Sequence, residues 1–407
     1  MQKTRKEEKT LLKKYTATIY ACYIGYIVQA IINNLAPLLF LTFQRNFHIS
    51  MEQIGLLISI NFGVQIIVDF VAARYVDRIG YRASMVIAHL CSTAGLIGLG
   101  VFPFLLPPYA GLVLAMVCNA IGGGLIEVLV SPIVEAAPSS NAKEAAMSLL
   151  HSFYCWGHVA VVLLSTLGFR LLGMENWYIL PVLWSIVPAV NAILFLKVPI
   201  QTLTEEGEQI PAKKLLSMRT FWLFFALMIC AGASEQAMSQ WASLFAEEGL
   251  KQSKTVGDLL GPCLFAVLMG SSRAFYGKFG NRMDLRKFML ASSCLCILSY
   301  LLAVFMANPF LALMGCGLCG LSVGIMWPGT FSLSARFCPQ GGTLMFALLA
   351  LAGDMGCASG PAVVSLISGI APRSGIKAGL AAAILFPAMM VVLLLRKFCR
   401  RFLIPSH

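Results

Sequence analysis

Residues 122–138 read Gly-Gly-Gly-Leu-Ile-Glu-Val-Leu-Val-Ser-Pro-Ile-Val-Glu-Ala-Ala-Pro, and residues 318–334 read Leu-Cys-Gly-Leu-Ser-Val-Gly-Ile-Met-Trp-Pro-Gly-Thr-Phe-Ser-Leu-Ser. A shift of 196 positions lays Gly124 on Gly320, Leu125 on Leu321 and Pro132 on Pro328. Residues 149–158 and 352–361 match in the same way, Gly157 falling on Gly360 and His151 on Asp354 at a shift of 203. A polar loop also repeats: Asp77-Arg78-Ile79-Gly80-Tyr81-Arg82 aligns with Gly277-Lys278-Phe279-Gly280-Asn281-Arg282. The order of these pairs is the same in both halves, so the chain reads as one unit used twice. Glycine permits close helix approach, and proline removes a backbone hydrogen bond and permits a bend.

The segments that carry the repeat are apolar over about the 20 residues that a membrane-spanning helix needs. Across its 407 residues the chain is 58% hydrophobic and 12% charged, about half the charge of an average soluble domain. The spacing predicts six spans near 16–43, 52–74, 83–105, 109–135, 144–172 and 177–198, and six more near 220–246, 256–276, 287–306, 309–335, 343–370 and 376–396. The expected fold is an all-α integral membrane protein of twelve transmembrane helices in two pseudo-symmetric six-helix bundles, residues 1–198 and 219–407, joined by a cytoplasmic linker over 199–218.

The net charge of +12 is spread in short runs between apolar segments, which excludes a nucleic-acid face. With the N-terminus inside, only Arg45, Arg170, Lys251, Lys254, Arg373 and Lys377 of the 30 Lys and Arg fall outside. Arg273 counts among the inner, loop-flanking charges. This bias puts both termini in the cytoplasm, and the plasma membrane (the inner membrane of a bacterium) is the expected location. The basic N-terminus precedes a long helix without a small-residue cleavage site, so a retained first helix is expected rather than a signal peptide. The 13 cysteines form no disulfide or metal framework. Cys316 and Cys319 make a lone CxxC in a Gly-rich helix and read as packing residues.

On these residues the chain resembles the major facilitator superfamily. Its loop Ala73-Arg74-Tyr75-Val76-Asp77-Arg78-Ile79-Gly80-Tyr81-Arg82 is similar to that family's G-x-x-x-D-R-x-G-R-R signature, with Ala73 at the first glycine and Tyr81 at one basic position. The resemblance implies gating roles for Asp77, Arg78 and Arg82. Within the superfamily the pattern looks most like the fucose–proton symporters and related hexose carriers. The likeness lies in Asn33-Asn34-Leu35, in Gly124-Leu125-Ile126-Glu127 with Pro132, and in Gly232-Ala233-Ser234-Glu235 with Trp241. Two departures stand out: Pro37 replaces the family's aspartate, and His151 replaces an amide.

Ionisable groups in mid-bilayer are functional candidates because their burial must be compensated. Glu127 and Glu235 are the first choices for ion coupling, since a carboxyl shielded from water can hold a proton reversibly near neutral pH. The plainer alternative is a structural carboxylate bonded to a neighbouring helix. Asp354 and His151, at equivalent positions, complete the ion-coupling set, as an ion pair or proton relay. A packed histidine, or one donating to a solute hydroxyl, is the other reading. Asp69, eight residues before Asp77, is assigned to the gate. Gln29, Asn33, Asn34, Asn61, Gln65, Gln236 and Gln240, with Trp156, Trp241 and Trp327, are the substrate-binding candidates. Amides beside indoles suit a sugar, although amides also serve as interhelical glue.

Three functions compete. The first is cation-coupled transport of a monosaccharide or related polyol by alternating access, with the proton or sodium ion as the driving cation. The second is a multidrug or metabolite exporter on the same fold. The third, an intramembrane enzyme, fails on motifs: Leu351 occupies the first glycine of a GxGD pattern and Val68 precedes Asp69. The sequence holds no HExxH, nucleophile elbow or P-loop. The expected partners are a small solute, a coupling cation and lipid. A monomer with no cofactor and no metal is expected.

Overall fold

The computed structural model describes residues 2–137, 143–201, 211–370 and 375–395, and within them lie twelve helical segments long and apolar enough to cross a membrane. In the first half these are spans 1 (Tyr15–Phe47), 2 (Gln53–Ala72), 3 (Tyr81–Leu105), 4 (Pro108–Ala136), 5 (Leu149–Leu172) and 6 (Ile179–Lys197). The second half holds spans 7 (Arg219–Glu247), 8 (Lys254–Phe279), 9 (Leu285–Phe305), 10 (Pro309–Phe337), 11 (Leu344–Ile370) and 12 (Gly375–Leu395). All twelve fall where the sequence places them, within several residues. The expected linker carries one short helix, Ala212–Ser217. Residues 202–210 of it lie outside the described residues.

Polarity is inverted relative to a soluble protein. Span 6 turns Ile186, Val190, Ile193 and Leu196 outward, while Gln29, Asn33, Asn61, Gln65, Asp69 and Asp354 are buried. Lipid is the solvent that makes such an arrangement favourable. The halves meet along two seams, span 2 against span 11 and span 5 against span 8. These seams exchange under the internal two-fold relation.

The paired glycines explain how the spans approach. A Cβ on Gly157 would lie 2.9 Å from Ile27 Cα of span 1, and one on Gly360 would lie 2.5 Å from the Ala233 carbonyl oxygen of span 7. Likewise Gly124 packs on Val68 of span 2, and Gly320 on the Phe265 carbonyl of span 8. Each glycine thus serves the same contact in its own half.

The prolines break two spans and free carbonyls that the site then uses. Span 1 is α-helical to Asn34, tightens into a 3₁₀ turn over Ala36–Leu39, and resumes at Phe40. Pro37 cannot donate to the carbonyl four residues back, so the Asn33 oxygen is left for Gln240 Nε2, 3.3 Å away across the two halves. Span 10 breaks at Gly324–Ile325. Pro328 leaves the Gly324 oxygen free, and Arg273 Nε donates to it at 2.8 Å.

Arg82, near the start of span 3, donates to the Phe195 and Leu196 carbonyls (3.1 and 2.6 Å) in the last turn of span 6. Its functional counterpart is Arg286, near the start of span 9, which donates to the Leu394 carbonyl at the end of span 12 (2.6 Å). This corrects the alignment of Arg82 with Arg282. Arg82 therefore ties spans 3 and 6 within one half, and both of these bonds stay inside that half. A cation on the last carbonyls of a helix contributes about 1 kcal/mol. Arg82→Ala and Arg286→Ala are each expected to lower stability by about that amount in thermal unfolding, with additive effects in the double variant because the sites are independent.

Candidate functional site

Where the broken spans converge, a small cavity is lined by Tyr26, Gln29 and Asn33 of span 1, Phe62 of span 2, Glu127 of span 4, and His151 and Tyr154 of span 5. The second half contributes Glu235 and Gln236 of span 7, Arg273 of span 8, Trp327 of span 10, and Asp354 and Cys357 of span 11. Its free volume is about 40 Å³, room for about three water molecules and too little for a sugar ring.

Two hydrogen-bonded clusters build its walls. In the first half, Gln29 Nε2 donates to Glu127 Oε2 (2.9 Å) and to Gln65 Oε1 (3.1 Å). Asn61 Nδ2 and Gln65 Nε2 both point at Asn33 Oδ1 (3.4 and 3.5 Å). Gln29 and Asn33 share one helical face because they are four residues apart, and so do Asn61 and Gln65. In the second half, Glu235 Oε2 pairs with Arg273 Nη2 at 3.2 Å, both groups almost fully buried. Gln236 Nε2 adds a bond to Glu235 Oε1 (3.4 Å), and Gln240 Nε2 donates to Gln236 Oε1 (2.9 Å). Tyr300 Oη fixes this stretch from span 9 by donating to the Ser234 carbonyl (2.8 Å).

Arg273 joins the halves. Besides Glu235 and Gly324, it donates from Nη1 to the His151 carbonyl of span 5 (2.9 Å). Arg273, a loop-flanking charge by sequence, is buried in the site. Its signal was present, since an arginine inside the eighth apolar span meets the same criterion used for the carboxylates. Tyr26 and Tyr154 were also missed. The hydroxyl of Tyr26 lies 3.1 Å from Ser131 Oγ and 3.3 Å from His151 Nε2, and Tyr154 Oη accepts from Asn34 Nδ2 (3.2 Å).

The other candidates are distributed as follows. His151 and Asp354 line the same cavity but form no ion pair among the described residues. Trp327 lines the cavity, while Trp241 spends its indole N–H on the Pro361 carbonyl (3.3 Å). Trp156 is corrected: it is 41% exposed on the outer surface and lies against Gly270, away from the cavity. Arg78 is exposed, and the side chain of Asp77 lies outside the described residues. Asp69 is corrected too. It is fully buried within span 2, within electrostatic reach of Glu127, rather than at a surface gate.

A second cavity of about 160 Å³ opens on the side of the 4–5 and 10–11 loops, lined by Glu135, Met147, Phe331, Ser332, Ala335, Arg336 and Phe346. Phe331 separates it from the first. Its ring centroid is 5.9 Å from His151 and 6.3 Å from Trp327 on one side, and 5.3 Å from Phe346 on the other.

The family model described as Major Facilitator Superfamily matches residues 22–361. No curated protein matches the chain by sequence. Among solved structures, a variant of the E. coli fucose:proton symporter FucP superposes with a TM-score of 0.70 at 16% identity, covering 94% of this chain and 98% of its own. The proton:xylose symporter XylE gives 0.81 at 11% identity, with 96% of each chain covered. The human organic anion transporter MFSD10 gives 0.70 at 14% identity, covering 93% of this chain and 99% of its own. At these identities the likeness establishes the fold.

Proposed function

Because this chain belongs to the major facilitator superfamily and is therefore a transporter rather than an enzyme, we propose that it carries a monosaccharide or related polyol by cation-coupled alternating access. The observation that carries this reading is the composition of the cavity. Amides, two phenols and an indole supply paired donors and acceptors for hydroxyls, with an aromatic face for the C–H side of a sugar. Glu127 and Glu235 are the proposed coupling groups, with His151 and Asp354 beside them. Gln29, Asn33, Gln236 and Trp327 are the proposed solute contacts. Asn34, Asn61, Gln65, Gln240 and Trp241 support them from behind.

Rocking of one half against the other has to break the Gln240–Asn33 and Arg273–His151 bonds and enlarge the cavity. Phe331 is the proposed inner gate, because the second cavity begins beyond its ring. Arg78 and Arg82, with Asp77, are the proposed gate of the loop after span 2. The loop charges support cytoplasmic termini in a plasma membrane, and a monomer contains the whole site. Export of an organic ion is the second reading, favoured by the charge of Arg273 within the cavity.

Thermal stabilisation of the detergent-purified chain tests the solute class. The screen covers hexoses, pentoses, polyols, nucleosides, peptides, organic acids and amphipathic drugs. A ligand at 100 times its dissociation constant adds about 2.7 kcal/mol. A shift with a hexose, pentose or polyol is expected. A shift only with drugs or organic ions moves the function to export.

A further inference from the structure

The wall between spans 1, 2, 4 and 11 has more acceptors than donors. Gln29 Oε1, Asn61 Oδ1, both carboxyl oxygens of Asp69 and Asp354 Oδ2 are buried without a hydrogen-bond partner. Asp69 is 0% exposed and Asp354 1%. Gln29, itself only 2% exposed, has spent its amide hydrogens on Glu127 and Gln65. Its orphaned oxygen therefore does nothing to neutralise the acids beside it. Buried acceptors in this number need hydrogens that the protein does not supply.

The charges point the same way. Asp69 interacts electrostatically with Glu127 of span 4, and with Asp354 and Cys357 of span 11. On span 1, Gln29 and Asn33 are bonded to Gln65, one helical turn before Asp69. Arg273 of span 8 reaches Glu127 electrostatically but is bonded to Glu235. Asp69 and Asp354 sit on opposite halves, on the two helices that form the 2–11 seam. Two ionised carboxylates without partners would repel each other across that buried contact.

We propose that Asp69 and Asp354 form a proton-binding site at the seam between the halves, and that the seam closes around this site only when a proton is bound there. The proton comes from water when one end of the seam is open and adds to a carboxylate oxygen. That O–H bond breaks again when the opposite end opens to water. Asp354 lines the solute cavity and Asp69 does not, so the site reaches from the cavity wall into the seam behind it. Solute and proton therefore occupy neighbouring sites that are coupled through the same closure. The use of this proton in transport rests on the carrier reading above; its presence at the seam does not.

Infrared spectroscopy of the full chain in lipid nanodiscs tests it. The difference between the parent and Asp69→Asn is expected to contain the C=O band of one protonated carboxyl, free of hydrogen bonds and shifted on deuterium exchange. Asp69→Glu keeps the group but moves it, so it should retain a band at a displaced frequency, and this variant decides the matter if Asp69→Asn does not fold. A difference spectrum holding only ionised carboxylate bands, or a parent band unchanged in both variants, overturns the proposal. So does a band that responds to sodium and not to pH. The measurement needs no solute, so its failure leaves the carrier reading untouched, and a failed sugar screen leaves the seam proton untouched.

Discussion

Glu127→Gln in proteoliposomes is expected to abolish accumulation of solute against its gradient while leaving exchange across the membrane intact. The substitution keeps the size of the side chain, and its amide oxygen can still accept from Gln29 Nε2, now 2.9 Å from Glu127 Oε2. The same Gln29 amide carries an unpartnered acceptor, Oε1. The cavity wall should therefore hold its shape, and only the capacity to gain and lose a proton is removed. Accumulation driven by an imposed pH gradient should fall to the equilibrium level, whereas counterflow of labelled hexose or pentose continues. Undiminished accumulation in Glu127→Gln and in Glu235→Gln would remove both residues from the coupling path.

Arg273→Ala is expected to have the largest effect on stability. The guanidinium satisfies Glu235, the carbonyl that Pro328 leaves free at Gly324, and the His151 carbonyl of the opposite half. Removing one member of a buried ion pair strands the other charge, a loss of about 3–5 kcal/mol. Arg273→Ala combined with Glu235→Gln should recover part of that loss, because no carboxylate is left unpaired. Lysine should be a poor substitute, since one ammonium cannot reproduce the planar fork that reaches three acceptors. Thermal unfolding of the parent, Arg273→Ala, Glu235→Gln and the double variant gives the coupling energy directly. Equal midpoints for Arg273→Ala and the parent would show that the buried pair carries no load.

The fold was legible because a bilayer imposes a length and a composition on every span, and because the glycine and proline pairs recur in order. Gly157 and Gly360 are the clearest case, since each admits a backbone from the equivalent neighbouring helix. The site was legible only in part. Its amides and acids stood out as polar exceptions in apolar helices. Arg273 did not, because a charge close to a helix end reads equally well as a topology signal. Asp69 reads as a gate residue from its nearness to Asp77 in sequence, yet two helical turns carry it from the loop into the buried seam.

Trp156 shows a third limit. An indole suits a lipid-facing position as well as a cavity wall, and the packing of span 5 leaves this one 41% exposed. Arg82 shows a fourth. Pattern alignment paired it with Arg282, but helix starts set the geometry, and Arg286 caps span 12 as Arg82 caps span 6.

The central claim, that solute and a coupling cation cross together, is tested most directly by a pH-sensitive dye trapped in proteoliposomes. A hexose or pentose that stabilises the purified chain is added outside, with no imposed ion gradient. The account predicts acidification of the lumen that follows sugar entry and disappears in Glu127→Gln. Sugar entry at the same rate with no change in lumenal pH would contradict proton coupling.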